Sequence, residues 1–457
     1  MTADLSHEMV DFALNLKFDD LGRKTVREAK RRWLDSFACA LGAWQAEPCR
    51  IIRSMLPTVK SAPGGTARML GTRIQTTPEW AAFGSSALIR YMDFNDTYLS
   101  LEPAHPSDNI GAILAAADLA DSSGQDAILA TVIAYEIQCR LCDSASIRAR
   151  GWDHVTYGVF STTLAAGRLL GLTREQLLHA MGLAGVCGNA LRLTRAGVIS
   201  MWKGLAFANA SRIGLLAVTM AKAGITGPAP IFSGDMGFCQ QVSGPLDWTR
   251  PGSDKRGFLL TETMIKCVSA EYHSHPAVES CVELFDQIGG ERPKEILVET
   301  FKAGVEIIGH GPERWRPESR ETADHSLPFI VGVTLKNGEL RPEFYEQPTR
   351  EDPETLRWVD AVRVVEKPEY TTLYPKAYPT NIIVTMADGR SFSKRVDLPL
   401  GHPERPASDE VLELKFRDLC GDKMPEKQAD QALSMLHRLD RLSSVRRLIR
   451  KMELPVE

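Results

Sequence analysis

The chain has 457 residues, with 54 basic against 58 acidic side chains and a net charge of −4. Its composition, 44% hydrophobic and 25% charged, is that of a folded globular protein and excludes a largely disordered or fibrous chain. The slightly negative balance, with no basic run, argues against nucleic acid or an acidic membrane surface as partner.

From Leu5 to about Ala223 the apolar residues recur at helical spacing, as in the stripe Val26, Ala29, Trp33, Ser36, Phe37 and Ala40. Helix starts are predicted at Thr77-Pro78-Glu79, at Ser107-Asp108 before Ile110, and at Thr173, where Gln176 completes a capping box. Gly151, Gly171 and Gly224 are predicted stops.

After about Lys266 the texture changes. Short β-branched runs at Ile296 to Phe301, Val362 to Val365 and Ile382 to Met386 predict strands, and Asp388-Gly389 predicts a hairpin leading into Ser391 to Val396. Between them, Ser326 to Leu335 reads as a helix stopped at Asn337-Gly338. Helical spacing returns from Ser408. The expected fold class is mainly α, with an all-helical domain formed by both chain ends (residues 1–265 and 404–457) and a smaller α+β domain at 266–403.

The nine cysteines are odd in number and scattered, so they read as reduced thiols. The start, with Asp4, His7 and Glu8, lacks the features of a secretory leader, and apolar stretches such as Ile113 to Ala117 and Leu215 to Val218 are too short to cross a bilayer. A cytoplasmic protein is expected.

The densest polar cluster is Asp93-Phe94-Asn95-Asp96-Thr97 followed by His105-Pro106-Ser107-Asp108-Asn109. Asp93 and Thr97 would share a helix face if the preceding helix continued, and His105 precedes a helix start that favours an anion. An acid/base and carboxylate site and a capped loop explain this cluster equally well. Cys139-x-x-Cys142 lacks a second pair for zinc, His273-x-His275 lacks a third ligand, and Gly182 to Gly188 lacks the strand a nucleotide loop requires.

These motifs, with Trp152-Asp153-His154, Lys203-Gly204-Leu205, Gly224-Ile225-Thr226-Gly227-Pro228, Lys266 through Ala270-Glu271-Tyr272-His273, and Pro399-Leu400-Gly401-His402-Pro403, resemble the MmgE/PrpD family over essentially the whole chain. The resemblance implies a helical domain from both chain ends, an inserted α+β lid, an active site between them, and a homodimer. It also implies lyase chemistry on small di- or tricarboxylates without metal, iron–sulfur cluster or organic cofactor. Carried over by position, the implied catalytic residues are Asp93, Thr97, His105, His154, Lys203 and Lys266.

Eliminating water from a β-hydroxy acid needs a base for the carbon-bound proton, cations for the developing charge and an acid for the leaving hydroxyl. His154 or His105 is the expected base, its counterpart or Asp93 with Thr97 the proton-donor side, and Lys203 and Lys266 the carboxylate holders. His273, Arg192, Arg195, His325 and Ser326 are candidate substrate-binding residues. Ion pairing by the arginines and helix capping by Asp324 or Ser326 explain the same letters. Dehydration of 2-methylcitrate or a related hydroxy-tricarboxylate is the leading expectation. Decarboxylation of cis-aconitate, epimerisation of an amino-dicarboxylate, and a catalytically silent helical binding or scaffold protein are the alternatives. Apart from Tyr98, where the dehydratase branch usually carries Trp, the first motif follows that branch, whereas the wording around Lys203 and the segment after Lys266, one residue shorter before its His, depart from it and keep the substrate open.

Overall fold

The computed structural model describes residues 4–62, 64–197 and 199–455. It is mostly helical and divides into two compact units. One comprises Met1–Ala196, Trp202–Ile265 and Ser408–Glu457, the other Gly197–Met201 and Lys266–Ala407.

In the first unit, small residues allow helices to approach closely. Helix Pro78–Arg90 packs on both Ile110–Ala120 and Trp202–Lys222. A Cβ on Gly111 would meet the Ser86 backbone nitrogen at 2.4 Å, and one on Gly204 would lie 2.8 Å from the Tyr91 ring. Only hydrogen fits at these two contacts. The predicted stripe on helix Gly22–Gly42 is inward-facing, with Trp33 and Phe37 fully buried and Trp33 Nε1 donating to Thr131 at 2.9 Å. The Thr173–Gln176 capping box opens helix Arg174–Cys187.

Helix Trp202–Lys222 is long and apolar enough to cross a membrane, which the shorter runs in the sequence concealed. Its most apolar window is 67% buried inside the protein, and Phe207, Gly214 and Val218 pack against neighbouring helices, as befits a core helix. Two-residue strands β1 (Ala67–Arg68) and β2 (Gln75–Thr76) pair antiparallel near this helical core. They are too short for an alternation signal and were not expected.

The second unit is built on a sheet of β3 (Glu295–Thr300), β4 (Val362–Glu366), β5 (Thr380–Thr385) and β6 (Ser391–Val396) in the order β4-β3-β5-β6. β3 and β4 run parallel, so the chain between them crosses over through helical segments, whereas β5 and β6 form the hairpin turned at Asp388-Gly389. Ile296, Val298, Ile382 and Val384 line one sheet face and are fully buried beside residues of helices His275–Ile288 and Leu327–Asn337. Gly338, at φ +74°, closes the latter helix.

Candidate active-site residues

Helix Pro78–Arg90 stops where Asp93 takes a left-handed conformation, φ +52°. That conformation costs an aspartate on the order of 1 kcal/mol, and it is maintained by ionic contacts. Asp93 Oδ1 accepts from Arg90 Nη1 at 2.9 Å and Oδ2 from Lys203 Nζ at 2.9 Å, with all three side chains at most 2% exposed. Lys203 is therefore no snorkelling surface lysine. It sits in the first turn of Trp202–Lys222, where Gly204 brings the helix against Tyr91.

Because the helix ends at Arg90, Asp93 and Thr97 do not share a helical face. Thr97 exchanges backbone hydrogen bonds with Met264 at 2.9 and 2.8 Å, and its hydroxyl donates to the Ala104 carbonyl at 3.2 Å.

His105 precedes the short Pro106–Asn109 turn that leads into helix Ile110–Ala120. Its Nδ1 donates to the Asp96 carbonyl at 2.8 Å, so in the neutral ring Nε2 carries the lone pair. Asp96 locks this loop, accepting from the Ser107 N–H at 3.0 Å and the Tyr135 hydroxyl at 2.7 Å. The His105 and His154 rings lie 5.8 Å apart, tilted by 58°.

His154 opens a turn capped by Asp153, whose Oδ1 accepts from the Val155 N–H at 3.1 Å and whose Oδ2 pairs with Arg195 Nε at 2.9 Å. Backbone hydrogen bonds from Asp153 to Ala190 and from Arg192 to Gly151 stitch this loop to the Arg192–Arg195 turn. Neither imidazole nitrogen of His154 has a hydrogen-bond partner among the described residues, and Nδ1 lies 3.5 Å from Asp153. Burial, then the charge of Arg195, push the His154 pKa well down. Asp153 opposes the shift, and Arg90 and Arg192 add to it. The ring is therefore held neutral. Burial raises Asp153, yet the charge of Arg195, with the Val155 N–H and Arg192, brings it below its ordinary value, so the carboxylate stays charged.

Asp108 behaves in the opposite way. Burial pushes it up to about 8 against the pull of Arg90, 3.6 Å away, and of Asn95, which donates to it at 2.7 Å. A carboxyl able to hold a proton at neutral pH thus lies in the same electrostatic neighbourhood as a neutral imidazole.

In the second unit, Lys266 Nζ donates to the Ala270 carbonyl at 3.0 Å. Glu271 accepts from both the backbone N–H and Nδ1 of His273, at 2.8 and 2.7 Å. Burial works against ionisation of Glu271, but His273, then His325 and Lys266, hold it down at about 2. His273 Nε2 lies 3.4 Å from the Tyr374 hydroxyl, and Phe301 stacks on the Tyr374 ring. His273 and His275 are not on a strand: the first lies in a short turn and the second opens a helix. His325 Nδ1 is 2.5 Å from Asp324. Ser326 caps helix Leu327–Asn337, accepting from the Phe329 N–H at 3.1 Å and donating to the Arg314 carbonyl, so its hydroxyl is accounted for by capping.

Of the first-unit residues singled out from sequence, Asp93 and Lys203 are brought into contact, and His105 and His154 stand beside each other. Arg90, Asp108, Asp153 and Glu271 were missed as contributors. Asp108, Asp153 and Glu271 lay inside the quoted motifs; Arg90, an arginine within a run of small and apolar residues, was the available signal. Cys139 and Cys142 are buried in helix Gly124–Ser144, and burial pushes both thiols well up, which disfavours the thiolates a metal needs. Gly182 and Gly185 lie within helix Arg174–Cys187, where they admit Pro228 and Ile231.

The chain matches the MmgE/PrpD N-terminal domain over residues 7–251 and the MmgE/PrpD C-terminal domain over residues 268–441. It is similar to the 2-methylcitrate dehydratase of Cupriavidus necator, 32% identical over 437 aligned positions that cover 89% of this chain and 88% of that protein. The 2-methylcitrate dehydratase of Salmonella typhimurium strain LT2 is 31% identical, covering 94% and 92%. That of Escherichia coli K12 is 29% identical, also covering 94% and 92%. With both domains matched in order along the sequence, this chain belongs to the MmgE/PrpD family.

Proposed function

We propose that this protein is a hydro-lyase that dehydrates 2-methylcitrate, or a closely related hydroxy-tricarboxylate, to the unsaturated acid. The observation that carries the reading is the pair of adjacent imidazoles, half-buried His105 and buried His154, with the charges of Arg195, Arg90 and Arg192 acting on His154 and Arg90 also paired with Asp93. The near full-length similarity to proteins named 2-methylcitrate dehydratase favours this reaction over decarboxylation.

In the proposed reaction His154 accepts the proton from the carbon next to a carboxylate. The C–H electron pair becomes the new double bond, and the C–O bond breaks. The leaving hydroxyl takes a proton from protonated Asp108, or from His105 in its imidazolium form, and departs as water. Lys203, Arg192 and Arg195 stabilise the carboxylates, whose negative charge also raises the basicity of His154 on binding. Asp93 holds Lys203, and Thr97 fixes the loop that bears His105. Lys266, His273 and His325, from the inserted segment, are assigned to substrate binding and charge stabilisation. The family resemblance supports a homodimer as the working form, which sedimentation of the purified protein tests.

Ultraviolet absorbance tests the reaction directly. A conjugated acid accumulates when enzyme meets 2-methylcitrate, and a panel of citrate-like acids without any absorbance change removes the reading. Release of carbon dioxide from cis-aconitate would replace it with the decarboxylase alternative.

A further inference from the structure

Strands β1 and β2, the end of helix Ile110–Ala120 and helix Arg446–Lys451 line a half-open cavity of about 210 Å³ that shares no residue with the histidine pair. Its walls are Thr66, Arg68, Gln75, Asp118, Arg446 and Arg450, all polar, with three guanidiniums to one carboxylate.

The arginines are not equally committed. Arg446 Nε donates to the Asp118 carbonyl at 2.7 Å and to its carboxylate at 3.2 Å, and other nitrogens of the same group reach the Leu119 carbonyl at 3.3 Å and Asp121 at 3.4 Å. Asp118 also accepts the Arg68 backbone N–H at 2.7 Å. The Arg68 guanidinium is 3.8 Å from Asp118, beyond hydrogen-bond length, although its side chain is only 15% exposed. Arg450 makes no side-chain hydrogen bond or ion pair among the described residues. Two planar donor forks therefore line one polar cavity with their donors largely unspent.

We propose that this cavity binds a small multivalent oxyanion, a phosphate or a polycarboxylate, between Arg68 and Arg450. Guanidinium forks match the paired oxygens of either group, and the excess of positive charge disfavours neutral and cationic molecules. Because the cavity joins the β1–β2 hairpin to the last helix, an anion bound there stabilises the docking of the C-terminal segment against the native core.

Calorimetric titration of the full chain at fixed ionic strength with inorganic phosphate, and separately with tricarballylate, tests this. The expected result is a saturable site, one per chain, weakened about tenfold or more in both Arg450→Ala and Arg68→Ala, the loss expected from one charge-assisted fork. Arg447→Ala, on the same helix but outside the cavity, leaves it unchanged, and turnover is unaffected in Arg450→Ala. An Arg450-sensitive site for phosphate identifies phosphate as the ligand type; one for tricarballylate alone identifies a polycarboxylate. If neither anion shows a site weakened by Arg450→Ala, or Arg447→Ala weakens it equally, the proposal is overturned.

Discussion

Lys203 and Asp93, 110 positions apart in sequence, meet at 2.9 Å with both side chains 2% exposed. Removing one partner strands the other charge in a dry environment, which typically costs 3 to 5 kcal/mol. Arg90 remains on Asp93 in Lys203→Ala and moderates the loss, so about 2 to 3 kcal/mol is expected together with loss of turnover. The Asp93→Asn/Lys203→Met double variant should recover most of the stability and none of the activity. Urea melts of the unmodified protein, Asp93→Asn, Lys203→Met and the double variant measure the coupling; additive losses would show that the pair does not interact.

His154 makes native stability depend on pH. Burial and nearby arginines lower its pKa in the folded protein, whereas the unfolded ring titrates near the ordinary value of 6.5. As pH falls below that value the unfolded chain takes up the proton first, so stability complete above about pH 6.5 is progressively lost toward the lower folded pKa. His154→Asn should therefore lose less stability than the unmodified protein between about pH 7 and pH 5. Equal acid sensitivity in the two proteins would count against a neutral buried imidazole.

Asp153 acts on His154 through position. Its carboxylate caps the turn that starts at His154 and pairs with Arg195. Asp153→Asn keeps a capping oxygen but loses the charge, whereas Asp153→Ala loses both and should cost about 1 kcal/mol more through the cap. Turnover should fall in both, with the pH profile of kcat/KM displaced toward acid because a charge that raises the His154 pKa is gone. An unmoved profile would leave Asp153 with a structural role alone.

Gly111→Ala tests how the Pro106–Asn109 turn is seated. Alanine gains about 1 kcal/mol of helix propensity. Its Cβ would nevertheless meet the Ser86 backbone nitrogen at 2.4 Å and Cα at 2.7 Å, which no rotamer change relieves. Overpacking of this kind costs about 1 to 3 kcal/mol, so a net destabilisation of up to about 2 kcal/mol is expected, with reduced turnover as His105 shifts. A stabilised variant would mean that the helices separate freely here.

Features written within four or five residues were legible in the sequence. The Thr173–Gln176 box, the Asp388-Gly389 hairpin and the Gly338 stop each depend on neighbours in the chain, and the structure contains all three. The strands β3, β4 and β5 were legible because half-buried strands and β-branched residues leave a compact signature. What escaped is non-local. The left-handed turn at Asp93 is held by Arg90 and Lys203, and the depression of the His154 pKa comes from burial and then from Arg195, 41 positions on. The motifs carried the right chemical letters, but Asp108 inside one of them gains its raised pKa of about 8 from packing that no local pattern records.

The most direct measurement is the mass of the product formed from 2-methylcitrate by purified protein and by His154→Ala. The dehydratase account predicts an acid lighter by one water, formed readily by the unmodified protein and at most weakly by the variant. A product lighter by carbon dioxide, unchanged 2-methylcitrate, or full activity in His154→Ala would contradict it.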